Sequence, residues 1–217
     1  MCVNDSFFVE IWSDVVCPFC YIGSRQFASA LEGFAHRDQV VLRQRAFELD
    51  PGAPLSYDGN LDQLVATKYG LSLERARSLN HHLEDQAAAM GMAWALDKAK
   101  PTNTFDAHRL ITLANSQHLG SEMLARLYRG YFSEGQLLSD TDALTSMAHD
   151  VGVSEAEGLW HSDLFAAHVR RDELEAEQLG VSGVPSILVD GKFMIVGSQG
   201  SQKMLEVLDR AWARRAA

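Results

Sequence analysis

Positive charge and long apolar runs are both scarce in this sequence. Its 217 residues include 19 lysines and arginines against 29 aspartates and glutamates, which gives a net charge of −10. A surface with this excess of acidic groups does not attract nucleic acid or anionic membranes non-specifically. No window approaches the ~18 consecutive apolar residues that a membrane-spanning helix requires. We therefore expect no nucleic-acid partner and no membrane association.

Cysteine is rare as well. The chain has 3 cysteines, too few for the disulfide framework of a small secreted domain. Residues 1–6 contain neither the basic nor the apolar region of a secretory signal, so we expect a cytoplasmic protein. No second CxxC pair or nearby cysteine–histidine group completes a set of zinc ligands, so no metal is expected. Gly180 and Gly183 do not form a dinucleotide-binding fingerprint, so no nucleotide cofactor is expected either.

Two of the cysteines form a CxxC motif, Cys17-Pro18-Phe19-Cys20. An apolar run typical of a strand precedes the motif, and residues that favour a helix follow it, with Pro18 tolerated in the first turn. At a helix N-terminus the Cys17 sulfur faces unpaired backbone N–H groups and the positive end of the helix dipole, which favours its thiolate. Cys20, one turn later, can attack a mixed disulfide formed at Cys17. Because a structural disulfide closing so short a loop gains little stability, the motif predicts a redox-active dithiol.

Hydrophobic patterning predicts a mixed α/β chain. Residues 7–12 and 40–49 are predicted strands on either side of the first helix, an arrangement that indicates a right-handed parallel βαβ unit. The proline and glycine cluster at 50–54 ends this unit. From about residue 61 to 160 the pattern is helical, in several segments separated by glycines and capping residues. One of these predicted helices ends near residue 120, and another covers 154–161. This middle region is predicted to be an all-helical insertion.

Sheet character returns near the C-terminus, where Asp190-Gly191 is a hairpin-turn signal. The predicted elements there are a helix, two strands and a final helix, at about 164–179, 186–189, 192–196 and 201–214. The complete order is β-α-β, helical insertion, α-β-β-α. We therefore predict a discontinuous α/β domain over 1–52 and 162–217 and an insertion domain over 53–161.

Pro185 stands at the start of the first late strand, where a proline cannot donate a hydrogen bond to the sheet. A cis bond between Val184 and Pro185 is one hypothesis. It would face the CxxC motif and leave the Val184 backbone free to pair with an extended peptide. A trans proline at the start of an edge strand is the alternative.

Several segments together resemble the DsbA-like thioredoxin-fold proteins. They are Cys-Pro-Phe-Cys-Tyr-Ile-Gly at 17–23, the helical insertion, and Gly-Val-Ser-Gly-Val-Pro-Ser at 180–186. Within that family, Ser-Asp-Val-Val-Cys-Pro at 13–18 and the segment 103–110, with Asn-Thr and Ala-His-Arg-Leu, are similar to the FrnE branch. The resemblance covers essentially the whole chain.

This resemblance implies a thioredoxin fold with a large helical insertion and a dithiol–disulfide oxidoreductase or isomerase activity. Cys17 and Cys20 would be the catalytic thiols, facing a cis-proline loop at Pro185. No cofactor is implied beyond the redox-active disulfide itself, with glutathione as a candidate co-substrate. The secreted type member has Pro-His between its cysteines, so the Pro-Phe found here predicts a less acidic Cys17 and a less oxidising protein.

Further site residues are hypotheses. Glu10 and Asp14 are alternative proton acceptors for the buried thiol. Pro18, Phe19 and Val184 are candidates for substrate binding, with Phe19 expected to be exposed beside the thiol. Three residues of the insertion match the family segment and are predicted to line the groove beside Cys17; the alternative is a helix cap, a hydrogen-bonded core histidine and a solvated arginine. They are Asn103, His108 and Arg109.

Other functions share this architecture or this site. One alternative is a glutathione-dependent isomerase or transferase of the 2-hydroxychromene-2-carboxylate isomerase or kappa-class type, which uses a serine or a single nucleophile. Another is a peptide-binding chaperone module in which the thiols are incidental. For the oxidoreductase we expect protein or small thiol and disulfide substrates and a reducing or oxidising recycling partner. Apolar surfaces of the insertion make a homodimer a further hypothesis.

Overall fold

The computed structural model describes residues 6–215, and Cys2, for which the sequence suggests no role, lies outside that range. The strands are β1 (Phe7–Ser13), β2 (Val40–Ala46), β3 (Ser186–Val189) and β4 (Phe193–Val196). The α-helices are α1 (Pro18–Gly33), α2 (Leu61–Tyr69), α3 (Leu73–Ala89), α4 (Phe105–Ser116), α5 (Gly120–Phe132), α6 (Thr141–Val151), α7 (Ala166–Gln178) and α8 (Ser201–Ala213). Among these residues no helix is long and apolar enough to cross a bilayer.

The chain divides into two compact units, one formed by the residues up to Leu49 together with those from Ala167 onward, and the other by Asp50–Ala166. We refer to them as the sheet unit and the helical unit. The boundaries predicted from the sequence, at 52/53 and 161/162, lie within a few residues of these crossings.

The sheet unit contains four strands in the order β2-β1-β3-β4. β1 pairs with β2 in parallel, and β3 is antiparallel to both β1 and β4. This is the predicted β-α-β … α-β-β-α order, and the predicted α/β class is confirmed. Because β1 lies at the centre of the sheet, its C-terminal end brings the CxxC motif close to the start of β3.

Alternate residues of β1 point to opposite faces of the sheet. On one face Phe7, Val9 and Ile11 are buried against apolar side chains of α1 and α8. On the other face Trp12 packs with Ala176 of α7, and its indole Nε1 donates to the Asp172 carbonyl at 2.9 Å. Both faces of this strand are therefore covered, which explains its almost continuous apolar sequence.

The helical unit has its own core. α2 begins with a capping box between Asn60 and Gln63 and ends at Gly70, whose φ of 63° is the left-handed conformation that glycine adopts without strain. The largest fully buried side chains of this unit come mainly from α4, α5 and α6: Leu110, Met123, Leu127, Tyr128, Tyr131, Phe132, Leu144 and Met147.

Three predicted boundaries were wrong. β2 stops at Ala46 instead of 49, because the Leu49 amide is bonded to the Asp14 side chain and not to a strand. The helix predicted to end near residue 120 ends at Ser116, since His118 adopts a φ of 61°. The predicted helix at 154–161 is only a 3-10 turn over Ala156–Leu159, preceded by Glu155 with a φ of 63°.

Candidate active site

The two thiols lie at the junction of β1 and α1. After β1 ends, a tight turn forms in which the Cys17 amide donates to the Asp14 carbonyl at 3.1 Å. Cys17 is then the N-cap of α1 and Pro18 is the first helical residue, where a missing N–H removes no helical hydrogen bond. Both cysteines are free thiols; Cys17 is 4% exposed and Cys20 only 1%. The strand–turn–helix context predicted from the sequence is present.

The surroundings of the two sulfurs move their pKa values in opposite directions. A hydrogen bond from the Cys20 thiol lowers the pKa of Cys17, and the backbone amides of Cys20 and Phe19 add to this effect, while burial and the Asp14 charge oppose it. Burial, together with the neighbouring Cys17 sulfur, raises the pKa of Cys20 well above its ordinary value. The two sulfurs are therefore unequal: Cys17 is the more easily ionised of the pair, and Cys20 is the less easily ionised.

The loop before β3 completes the site. The Val184–Pro185 peptide bond is cis, as hypothesised from the sequence, and the Val184 carbonyl oxygen lies 3.8 Å from the Cys17 Sγ. Two hydrogen bonds hold the loop in place: the Ser186 hydroxyl donates to the Gly183 carbonyl at 2.8 Å, and the Gly197 amide donates to the Pro185 carbonyl at 2.7 Å. The Val184 backbone is thus presented directly beside the Cys17 sulfur.

Phe19 is 48% exposed, as expected for a side chain between the two cysteines. Its neighbour Pro18 starts the helix, so the apolar side chain stands at the helix N-terminus beside the thiolate. Their roles in substrate binding, like that of Val184, stay predictions.

The two candidate proton acceptors occupy different environments. Asp14 is 1% exposed and accepts a hydrogen bond from the Leu49 amide at 2.8 Å; its charge opposes ionisation of both thiols. Glu10 instead pairs with Arg45, whose Nε lies 2.9 Å from its Oε1. Asp14 is therefore electrostatically coupled to the dithiol, whereas Glu10 belongs to an ion-pair network. The proton-acceptor role of either residue stays a prediction.

Asn103 acts locally within the helical unit. Its side-chain oxygen accepts from the Phe105 amide at 2.9 Å at the start of α4, and its Nδ2 donates to the Ala53 carbonyl at 3.2 Å. These contacts match the helix-cap alternative considered from the sequence. The predicted contact of Asn103 with substrate stays a prediction.

His108 and Arg109 are both buried in the helical unit, at 1% and 6% exposure. The alternative of a core histidine therefore fits His108, whereas that of a solvated arginine was wrong for Arg109. The Arg109 guanidinium donates to the carbonyls of Leu159 and Leu164 at 2.6 and 3.0 Å and pairs with Asp106 at 2.7 Å. This guanidinium therefore fixes the segment that leads into α7. Neither residue's predicted role beside the dithiol is tested by these contacts.

Sequence reasoning missed Gly23, which lies in α1 against the cis-proline loop. A methyl group at Gly23 would lie 2.9 Å from Pro185 Cγ, and a proline ring cannot rotate away. We expect Gly23→Ala to push the loop away from Cys17 and to lower disulfide-exchange turnover by roughly tenfold or more, because small displacements of positioned groups are costly. Turnover and thermal unfolding of the purified variant would test this.

Gly33→Ala is the matched control on the same helix. A methyl group there would lie 3.2 Å from Leu205 Cδ2, the end of a flexible side chain that can move. We expect it to retain wild-type turnover. Equal activity of the Gly23→Ala and Gly33→Ala variants would show that the close approach of Gly23 to Pro185 does not set the geometry of the site.

No metal-binding arrangement accompanies the thiols: across residues 6–215, no three histidine, cysteine, aspartate or glutamate side chains are grouped so as to hold an ion.

Comparisons with known proteins identify the family of this chain. The model of the DSBA-like thioredoxin domain matches residues 8–209. A probable DsbA oxidoreductase from Streptomyces coelicolor is 36% identical, with a TM-score of 0.89 over 95% of this chain and 90% of that one. The uncharacterized Bacillus subtilis protein YwbO is 26% identical over 198 residues, covering 88% of this chain and 90% of its own.

A more distant structure shares the fold alone. The cytosolic disulfide reductase DsbM from Pseudomonas aeruginosa is 17% identical, with a TM-score of 0.66 over 97% of this chain and all of its own. The family-model match spans nearly the whole chain, and its two ends lie in the sheet unit. The chain belongs to the DSBA-like thioredoxin domain family, a family of thiol oxidoreductases.

Proposed function

We propose that this protein is a cytoplasmic dithiol–disulfide oxidoreductase of the FrnE branch, acting on protein or small-molecule disulfides. The observation that carries the proposal is the asymmetric dithiol beside the cis-proline loop. A hydrogen bond from Cys20 lowers the pKa of Cys17 at the helix N-terminus, and burial raises the pKa of Cys20. That asymmetry assigns attack to Cys17 and resolution to Cys20.

The cycle follows from this assignment. The Cys17 thiolate attacks one sulfur of a substrate disulfide, which forms a mixed disulfide and releases the first substrate thiolate. Cys20 then loses its proton and attacks the Cys17 sulfur, which expels the second thiolate. The substrate gains two electrons and the protein is left with a Cys17–Cys20 disulfide; one proton comes from Cys20 and one from solvent. A thiol partner, with glutathione as a candidate, reduces the protein again.

Positioning of the substrate follows from the loop. An extended chain can pair with the Val184 backbone like an added strand, which would bring its sulfur to Cys17. Phe19, half exposed at the helix N-terminus, would cover an apolar neighbour of the substrate cysteine. A proton acceptor for Cys20 is needed in the second step, and Asp14 is the carboxylate that the structure couples to both thiols.

The decisive experiment is equilibration of the purified protein against defined ratios of reduced and oxidised glutathione. We expect a reversible two-electron couple between about −270 and −120 mV, the span from thioredoxin to DsbA. A value in the lower half would indicate a reductase, whereas the Pro-Phe dipeptide predicts only a couple less oxidising than that of the secreted type member. A pair fixed below about −300 mV, or one that never oxidises, would contradict the proposal.

The two alternative functions, a glutathione-dependent isomerase and a chaperone module, predict different effects of replacing the cysteines. A glutathione-dependent isomerase, a class whose fold this chain shares with a TM-score of 0.67 to 2-hydroxychromene-2-carboxylate isomerase, needs one nucleophile and would keep its activity after Cys20→Ser. A chaperone module would suppress aggregation equally well after both cysteines are replaced. The paired thiols favour the oxidoreductase, because neither alternative function uses the second sulfur.

A further inference from the structure

A partly buried cluster of Glu48, Glu173 and Arg170 includes the segment beyond the end of β2. The family resemblance singled out none of these residues. The Glu48 side chain is fully buried, yet Arg170 at the start of α7 reaches it, with Nη1 at 2.5 Å from Glu48 Oε2. The same Nη1 lies 2.7 Å from Glu173 Oε2. The second oxygen of each carboxyl group is buried and accepts no hydrogen bond from any residue that the structure describes.

Burial raises the pKa of Glu48 to about 7; the hydrogen bond and charge of Arg170 oppose the rise, and neighbouring Glu173 adds to it. A glutamine at position 48 would keep the bond to Arg170, because its amide oxygen can accept the same hydrogen bond.

Glu48 is next in sequence to the residue whose backbone amide binds Asp14, the carboxylate beside the two thiols. The residue after Glu48 is Leu49, whose amide donates to Asp14 Oδ2 at 2.8 Å. The Asp14 carbonyl in turn accepts the Cys17 amide at 3.1 Å. Because β2 has already ended at Ala46, the sheet no longer fixes this segment, and the side chain of Glu48 attaches it to α7.

We infer that Glu48 is a positioning residue for the dithiol: through its hydrogen bonds to Arg170 on α7 it fixes the Leu49 amide, and the Leu49 amide holds the Asp14 carboxylate beside Cys17 and Cys20. The inference rests on the proposed function, in which the ionisation of Cys17 sets reactivity. It requires that loss of the Glu48 side chain change the thiols only through Asp14.

The test is the ultraviolet titration of the Cys17 thiolate at 240 nm, together with its alkylation rate by iodoacetamide. In Glu48→Ala, Asp14 loses its fixed donor and its opposing charge moves away from the thiols. We expect the titration midpoint to fall by about half a pH unit, so the thiolate fraction below the midpoint rises about threefold. The glutathione equilibrium should shift by the same factor toward the reduced protein, because a more stable thiolate favours that form.

Two comparisons separate positioning from a general structural effect. Glu48→Gln should restore the wild-type midpoint, and adding Glu48→Ala to an Asp14→Asn protein should cause no further shift. If Glu48→Ala lowers the yield of folded protein, Arg170→Ala tests the same link from its half-exposed partner and should give the same shift. An unchanged midpoint in either folded variant, or an equal shift in the Asp14→Asn background, would overturn the inference.

These outcomes are distinct from a failure of the proposed function. Thiolate titration and alkylation need no disulfide substrate, so they report on Glu48 even in a protein that does not exchange with glutathione. Conversely, the Cys17 titration midpoint could be the same with and without the Glu48 side chain in a protein with a normal glutathione couple. That result would leave the oxidoreductase proposal intact and reject only the positioning role of Glu48.

Discussion

Cys17→Ser is expected to abolish disulfide exchange, with turnover falling by on the order of 10³-fold or more, as is typical when a catalytic nucleophile is removed. The reason is that Cys20 cannot replace it. Cys20 is 1% exposed, and burial and the Cys17 sulfur raise its pKa well above the ordinary value. Reduction of insulin disulfides coupled to a thiol donor would measure the loss, and the 240-nm thiolate absorbance should disappear with it.

Cys20→Ser should behave differently from Cys17→Ser, because it keeps the nucleophile and removes the group that resolves the mixed disulfide. We expect a stable glutathione adduct at Cys17, visible as a mass increase in the intact protein, and slow turnover. Cys2→Ser is the matched control and should retain wild-type turnover. More than a tenth of wild-type turnover in Cys17→Ser would show that Cys17 is not the attacking sulfur.

Much of this site could be predicted from the sequence because its determinants are local. A CxxC motif after an apolar run fixes the sulfurs at a helix N-terminus whatever the rest of the fold does, since Pro18 and the following residues begin α1 directly. Because Pro185 precedes a short apolar run, it could likewise be placed at the start of β3. The order of strands and helices followed from periodicity alone.

The residues that tune the site could not be predicted, because their roles depend on contacts made far along the chain. In the sequence Gly23 is indistinguishable from any other helical glycine, and only the structure shows that Pro185 packs against it. Glu48 looks like a polar residue at the end of a strand, and only the return of the chain as α7 brings Arg170 to it. The strand itself was predicted to run too far for the same reason, since nothing local shows that Leu49 bonds to Asp14.

The ion-pair partner of Glu10 could not be predicted from the sequence either. A carboxylate in an apolar strand near a thiol is a reasonable proton acceptor by position, but strand position alone cannot reveal its partner. Across the parallel pairing of β1 and β2, Arg45 lies close enough for its Nε to bind Glu10 at 2.9 Å. Its Nη1 also bonds to Asp172 of α7 at 2.6 Å. Glu10 therefore belongs to a network that joins the sheet to this helix.

This network is the source of the largest stability effect that we expect. In Arg45→Ala, the Glu10 and Asp172 side chains, only 15% and 9% exposed, would be left as buried carboxylates without their counter-ion. Breaking a buried ion pair from one side costs about 3–5 kcal/mol, which corresponds to a fall in Tm of roughly 6–20 °C for a chain of this size. Thermal unfolding followed by circular dichroism would measure it.

Arg129→Ala is the matched control, because Arg129 also pairs with a glutamate at 2.9 Å but is 57% exposed. Exposed pairs contribute about 0–1 kcal/mol, so this variant should unfold close to the wild-type temperature. The Arg45 effect should also persist at high salt, since buried pairs are screened much less than exposed ones. Similar Tm values for the two variants would mean that the network does not hold α7 on the sheet, and that the packing of Trp12 against Ala176 is sufficient for that purpose.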